Sequence, residues 1–94
     1  NMASMRDSCE ARGLPHTCED TWGGDILSAA ILHMGATVKP TMLEAVWTAG
    51  NYIEESYDPE NTIRCSDGYF DLPKGYGLGV NPQEDRIGEL LYSF

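Results

Sequence analysis

The chain has 94 residues, one small domain's worth at most, of which 41% are hydrophobic and 22% charged. Its 15 acidic and 6 basic side chains leave a net charge of −9 at pH 7, which repels nucleic-acid phosphates and anionic leaflets and argues against a polyanion-binding module. The longest uncharged run, residues 26–38, carries Ser28 and His33 inside it and falls well short of the roughly 20 apolar residues of a bilayer crossing.

Residues 2–12 place Met2, Met5 and Cys9 between Asp7, Glu10 and Arg12, and Gly13 follows as a residue tolerant of positive φ. This spacing predicts the last turns of a helix. After Leu14 and Pro15, residues 16–20 form a short extended run that ends in two acids, Glu19 and Asp20. Residues 21–24, Thr-Trp-Gly-Gly, are a loop, and Asp25 is the expected N-cap of an apolar helix over residues 26–34 that Gly35 should stop. That helix is apolar on most faces, so it must pack on a layer larger than this chain can supply. Residues 42–47 predict a second buried strand ending in Trp47. Helix, strand, helix, strand in this order implies two parallel neighbours, which are normally covered on both faces.

The second half changes character. Glu54, Glu55, Asp58 and Glu60 crowd a solvated loop or irregular helix. Asp67-Gly68 between two β-prone runs, residues 63–65 and 69–72, predicts a hairpin ended by Pro73. The glycines at 75, 77 and 79 demand an irregular path.

The most site-like cluster is Glu19-Asp20-Thr21 at the end of the first strand, because functional groups of parallel α/β proteins gather where strands end. Against that stands the plainer possibility that Asp25 only caps, Trp22 only fills a loop and the glycines only turn the chain. Trp47, ending the second strand, could offer a π-face to a cation or simply pack at a barrel rim. The Gly75–Gly79 stretch is no phosphate cradle, since Pro73 precedes it and Pro82 follows where a strand and a helix would be needed. Cys9, His16, Cys18 and His33 lack paired zinc-ligand spacing. Residues 1–12 carry no secretory pattern and the cysteine count, Cys9, Cys18 and Cys65, is odd, so a reducing, cytoplasmic setting is expected.

Taken together, residues 15–26, the Ala-Ala-Ile-Leu-His-Met run at 29–34, residues 67–73, the Gly-Leu-Gly-Val at 77–80 and residues 84–89 resemble the C-terminal end of a mandelate racemase/muconate lactonizing enzyme, of the enolase superfamily. The Glu-Asp-Thr-Trp-Gly-Gly-Asp run at 19–25 is similar to the branch acting on proline derivatives, the hydroxyproline dehydratases and proline-betaine epimerases. The resemblance covers nearly the whole chain apart from residues 48–61.

That resemblance implies an α/β fold: residues 1–47 as the last two βα units of a modified TIM (β/α) barrel, and 48–94 as an extension with a hairpin that returns to the barrel and to an N-terminal capping domain. It implies a racemase, epimerase or dehydratase, an isomerase or lyase that removes the proton α to a carboxylate with the help of Mg²⁺. The metal acids and catalytic base would lie on strands outside these residues, so the chain is assigned no catalytic residue and no metal ligand, and by itself should be inactive. Neither Lys39 nor Lys74 sits where the family keeps its base. The residues carried over are Glu19, Asp20, Thr21 and Trp47, as contacts to a small carboxylate substrate: Asp20 toward an ammonium or hydroxyl, Trp47 as a cation–π face. The implied partners are the rest of the barrel and the cap in a homo-oligomeric parent, with no nucleic acid and no membrane. The alternative is a free-standing acidic α/β module that pairs its open strand edges with another protein.

Overall fold

The computed structural model describes residues 1–93; Phe94, the last residue of the expected extension, lies outside them. Helix α1 spans Met2–Ala11, strand β1 His16–Glu19, helix α2 Asp25–Ala36 and strand β2 Leu43–Trp47, followed by two single 3-10 turns, Ala49–Asn51 and Glu84–Arg86. The Asn1 side chain accepts from the N–H groups of Ala3 and Ser4 and opens α1. At the other end Leu14 N–H donates to Cys9 O and Gly13 N–H to Glu10 O, with Gly13 at φ +66°. These paired bonds close the helix as a Schellman motif and turn the chain into β1.

The two strands pair in parallel, as the helix–strand alternation predicts. Thr17 lies opposite Ala45, Cys18 opposite Val46 and Glu19 opposite Trp47, after an irregularity at His16. Alternation then sorts the faces. Cys18 and Val46 turn toward α2 and pack with Ile31, Met34 and Val38. Thr17, Glu19 and Trp47 occupy the opposite, open face and are exposed.

Helix α2 differs from expectation at both ends. Gly24 is the N-cap, without a side-chain bond. Asp25 is the first helical residue, and its carboxylate accepts from Ser56 Oγ at 2.7 Å. The Tyr57 hydroxyl accepts from Ile26 N–H at 2.7 Å and satisfies a helix-end donor from across the fold. Gly35 does not stop the helix, which runs on to Ala36. Its role is close approach: a Cβ there would lie 2.6 Å from Val46 Cγ2, so only glycine lets α2 sit this near β2.

The second half folds over α2. Ala29, Leu32 and Ile63 form a buried cluster against which Phe70, Leu78 and Val80 pack. His33 Nε2 bonds the Leu78 carbonyl at 3.1 Å, tying the tail to the helix. The expected hairpin is reduced to its turn. Asp67 and Gly68 both have positive φ, +51° and +81°, as a type I′ turn requires, but only Ser66 and Tyr69 pair across it. Ile63 and Phe70 face the helix, and that packing replaces a longer ladder. The acidic run is not uniformly solvated either. Glu54, Glu55 and Glu60 are exposed, whereas Asp58 is only 1% exposed and accepts from Asn61 Nδ2 and, at 2.6 Å, from Asn81 N–H. Among the described residues no helix is long and apolar enough to cross a membrane.

Candidate functional site

At the C-terminal ends of the two strands a cavity of about 230 Å³ is lined by Glu19, Asp20, Trp22, Trp47, Thr48, Ala49 and Tyr52. The pairing register makes Glu19 and Trp47 direct neighbours on the open sheet face. Neither is sequestered: Glu19 is exposed and Trp47 is 54% exposed. Among the described residues the Glu19 carboxylate has no hydrogen-bond partner, so its lone pairs are available to an incoming donor.

Trp22 comes from the β1–α2 loop with φ +63°, a conformation rare for so large a side chain and one that costs roughly 1–3 kcal/mol. The surrounding loop holds it there, with its ring 5.0 Å from that of Tyr52 at a 49° tilt. Three aromatic rings and one free carboxylate therefore border a single opening. Aromatic faces and a carboxylate both favour a positive charge, and a cation–π contact at exposed rings such as these is worth about 0.5–1 kcal/mol.

Asp20 behaves differently from Glu19. It is buried, its two oxygens accept from Ala49 N–H at 3.0 and 2.9 Å, and Oδ2 also accepts from Ser28 Oγ at 2.9 Å. Thr21 does not line this opening; it lines a neighbouring groove of about 440 Å³ walled by α1, β1 and α2. The structure thus brings Glu19, Asp20 and Trp47 together at this opening, while Thr21 shares with Glu19 and Asp20 only the neighbouring groove. It adds Trp22 and Tyr52. Trp22 carried a signal through its place in the strand-end loop, whereas nothing local in the sequence marks Tyr52 as its partner.

The two lysines lie elsewhere. Lys39 precedes β2 at the opposite end of the sheet, where its N–H donates to Glu10 Oε1 at 2.9 Å and its ammonium stands 3.5 Å from Oε2. That N–H, together with the lysine charge, holds the Glu10 carboxyl below its ordinary range. Lys74 lies on the tail near Asn61 and Asp71. Burial pushes the Cys18 thiol up, away from a reactive thiolate.

The enolase C-terminal domain-like family matches residues 1–86. The chain belongs to that family. A cis-3-hydroxy-L-proline dehydratase from Roseibium aggregatum is 39% identical over 95 aligned positions, covering 90% of this chain and 23% of the dehydratase. Two solved structures superpose closely. An enolase-superfamily member from Roseovarius nubinhibens matches with a TM-score of 0.88 at 26% identity over 97% of this chain and 25% of its own. A chain from Silicibacter pomeroyi assigned to the mandelate racemase/muconate lactonizing enzymes matches with a TM-score of 0.86 at 31% identity over 96% of this chain and 25% of its own. The chain spans about a quarter of the length of these relatives.

Membership makes the chain an α/β piece of a TIM-barrel-type domain and its parent family one of enzymes, racemases and dehydratases among them. Enolase-superfamily members typically use Mg²⁺. Among the described residues no three His, Cys, Asp or Glu side chains converge to hold a metal ion, and the buried Asp20 has its oxygens committed to protein donors. The described residues of this chain do not fit a magnesium site.

Proposed function

We propose that these residues are the seventh and eighth strands, with their helices and returning tail, of an enolase-superfamily barrel that acts on a small carboxylate substrate bearing a cationic nitrogen, a proline derivative. The reaction is a racemisation, epimerisation or dehydration that begins with loss of the proton α to the carboxylate. The observation that carries this reading is the pairing of Glu19 with Trp47 at the C-terminal strand ends, the end of a barrel at which substrates bind.

In this reading Glu19 pairs with the substrate nitrogen while Trp47 covers its charge with a ring face, and Trp22 and Tyr52 narrow the opening. Together they orient the substrate and exclude water from one side of it. The base and the metal acids belong to the preceding strands, so the isolated chain binds weakly and turns nothing over. Residues 48–94 pack on the barrel and cap, and the parent assembles as a homo-oligomer.

The unfinished faces support a segment over a self-sufficient module. The groove beside β1 exposes apolar atoms of Met5, Cys9, Leu27 and Met34. On it His16 donates from Nδ1 to the Leu14 carbonyl, leaving Nε2 buried with no partner. A buried acceptor without a donor is costly to the fold of the chain by itself. The two-stranded parallel sheet is covered by α2 on one face, while its opposite face stays open and the outer edges of both strands are unpaired among the described residues.

The test is a hybrid in which these 94 residues replace the matching quarter of the Roseibium aggregatum dehydratase. A folded hybrid that turns over cis-3-hydroxy-L-proline, and loses that activity on Trp47→Ala, supports the reading. A folded hybrid that neither binds nor converts any proline derivative contradicts it.

A further inference from the structure

Two adjacent acids end β1, yet they are in opposite chemical states. Glu19 is exposed and unbonded, while Asp20 is 6% exposed and fully engaged. The Asp20 N–H donates to the Trp47 carbonyl at 3.1 Å, extending the ladder one residue beyond the strands. Its carboxylate accepts from the Ala49 N–H through both oxygens, at 3.0 and 2.9 Å, and from Ser28 Oγ at 2.9 Å. These bonds fall on either side of Thr48, itself buried, and so grip the chain where it leaves β2. Ser28, on α2, braces the grip from behind.

A carboxylate offers about four lone-pair sites; here two buried donors, the Ala49 N–H shared between both oxygens and the Ser28 hydroxyl, take three of them. With Asp20 only 6% exposed, a substrate ammonium would compete there with the Ala49 N–H and the Ser28 hydroxyl, and displacing either would leave a buried group unpaired. We propose that Asp20 is a positioning residue: through Ala49 and Ser28 it fixes the exit of β2 so that the Trp47 ring faces the opening beside Glu19, and it does not itself touch substrate. This rests on the proposed function and departs from the direct contact that its place in the sequence suggests.

The experiment uses the hybrid described above, with Ser28→Ala, Asp20→Asn, Trp47→Phe and the Asp20→Asn/Trp47→Phe pair. A positioning role predicts that S28A and D20N raise KM by about 3- and 10-fold while kcat stays within about twofold, the signature of lost uniform binding. It also predicts that D20N adds less than about twofold to the KM of W47F, since both act through one ring. A merely structural role would lower the unfolding midpoint and leave D20N and W47F independent. An S28A hybrid with unchanged KM, or losses from D20N and W47F that multiply, overturns the proposal; if D20N does not fold, S28A still decides.

A second readout needs no turnover. In the substrate-free protein, S28A should shift both the Ala49 amide and the Trp47 indole N–H resonances, and an unmoved indole overturns the clamp. If the unaltered hybrid folds but binds nothing, the functional reading fails while this NMR result still decides the clamp.

Discussion

Residues 1–47 and residues 48–93 are built by different physics. In the first part, backbone ladders and apolar side chains repeat with helix and strand periods, and Cys18, Ile31 and Val38 are buried by that repetition. In the second part no strand or α-helix forms among the described residues, and the chain is held by apolar packing of Ile63, Phe70, Leu78 and Val80 on α2 together with side chains that bond distant groups. Asp58 gathers Asn61 and Asn81, Tyr57 reaches the start of α2, and His33 holds Leu78. The comparison teaches that an irregular segment can be as firmly specified as a regular one, provided a few buried polar groups are completely satisfied. It also locates the candidate site, because the opening sits where the regular part hands over to the irregular one, at Trp47, Thr48 and Ala49.

The difference can be broken from either side in the hybrid protein. Ile31→Ala should cost about 2–5 kcal/mol by opening a cavity between α2 and the strands, read as a fall in unfolding free energy. Asp58→Ala should cost about 1–3 kcal/mol, since it removes the buried acceptor that gathers the Asn61 amide and the Asn81 N–H; hydrogen exchange should show the loss concentrated in residues 52–83. Gly35→Ala should cost roughly 1–3 kcal/mol, because its Cβ would collide with Val46 and push α2 off the sheet. A neutral Asp58→Ala would show that apolar contacts alone hold the second part.

The smallest effect belongs to the surface tie between α1 and the turn before β2. The Glu10 pKa is depressed in the fold below 4.5 by the Lys39 N–H. Its contribution is therefore fully present above about pH 4.5, the unfolded value, and is lost as pH falls through the lower folded value. The Lys39 amide resonance should report that titration, and Glu10→Gln should abolish it. Thiol labelling should follow exposure, with Cys65 first, Cys9 next and buried Cys18 last.

Much of the regular part was legible because its signals are local. Gly13 after a helical spacing and the extended residues before Glu19 carry their geometry in neighbouring residues, as does the Asp67-Gly68 turn of the second part. What was hidden depends on partners far along the chain. Gly35 looks like a helix stop unless the methyl of Val46 is known to lie against it. Asp25 looks like a cap until Tyr57 and Ser56 arrive from 31 residues away. Asp58 reads as one of several solvated acids, and only the distant Asn81 N–H buries it. The same limit applied at the site. Position at a strand end nominated Glu19, Asp20, Thr21 and Trp47 together, but the register alone makes Glu19 and Trp47 neighbours, and only the fold directs Asp20 toward Ala49.

The central proposal is that this chain, which spans about a quarter of its relatives' length, completes its fold only together with the rest of such a barrel. It leaves Trp22, Tyr69, Ile87, Leu90 and Leu91 more than half exposed, a large apolar surface for 94 residues. The most direct measurement is the amide-proton NMR spectrum of the chain alone and after addition of the remaining three quarters of the Roseibium aggregatum dehydratase as a second polypeptide. The account predicts poor dispersion alone and a dispersed, ordered spectrum in the complex. A well-dispersed spectrum from the isolated chain, unchanged by the added polypeptide, would contradict it.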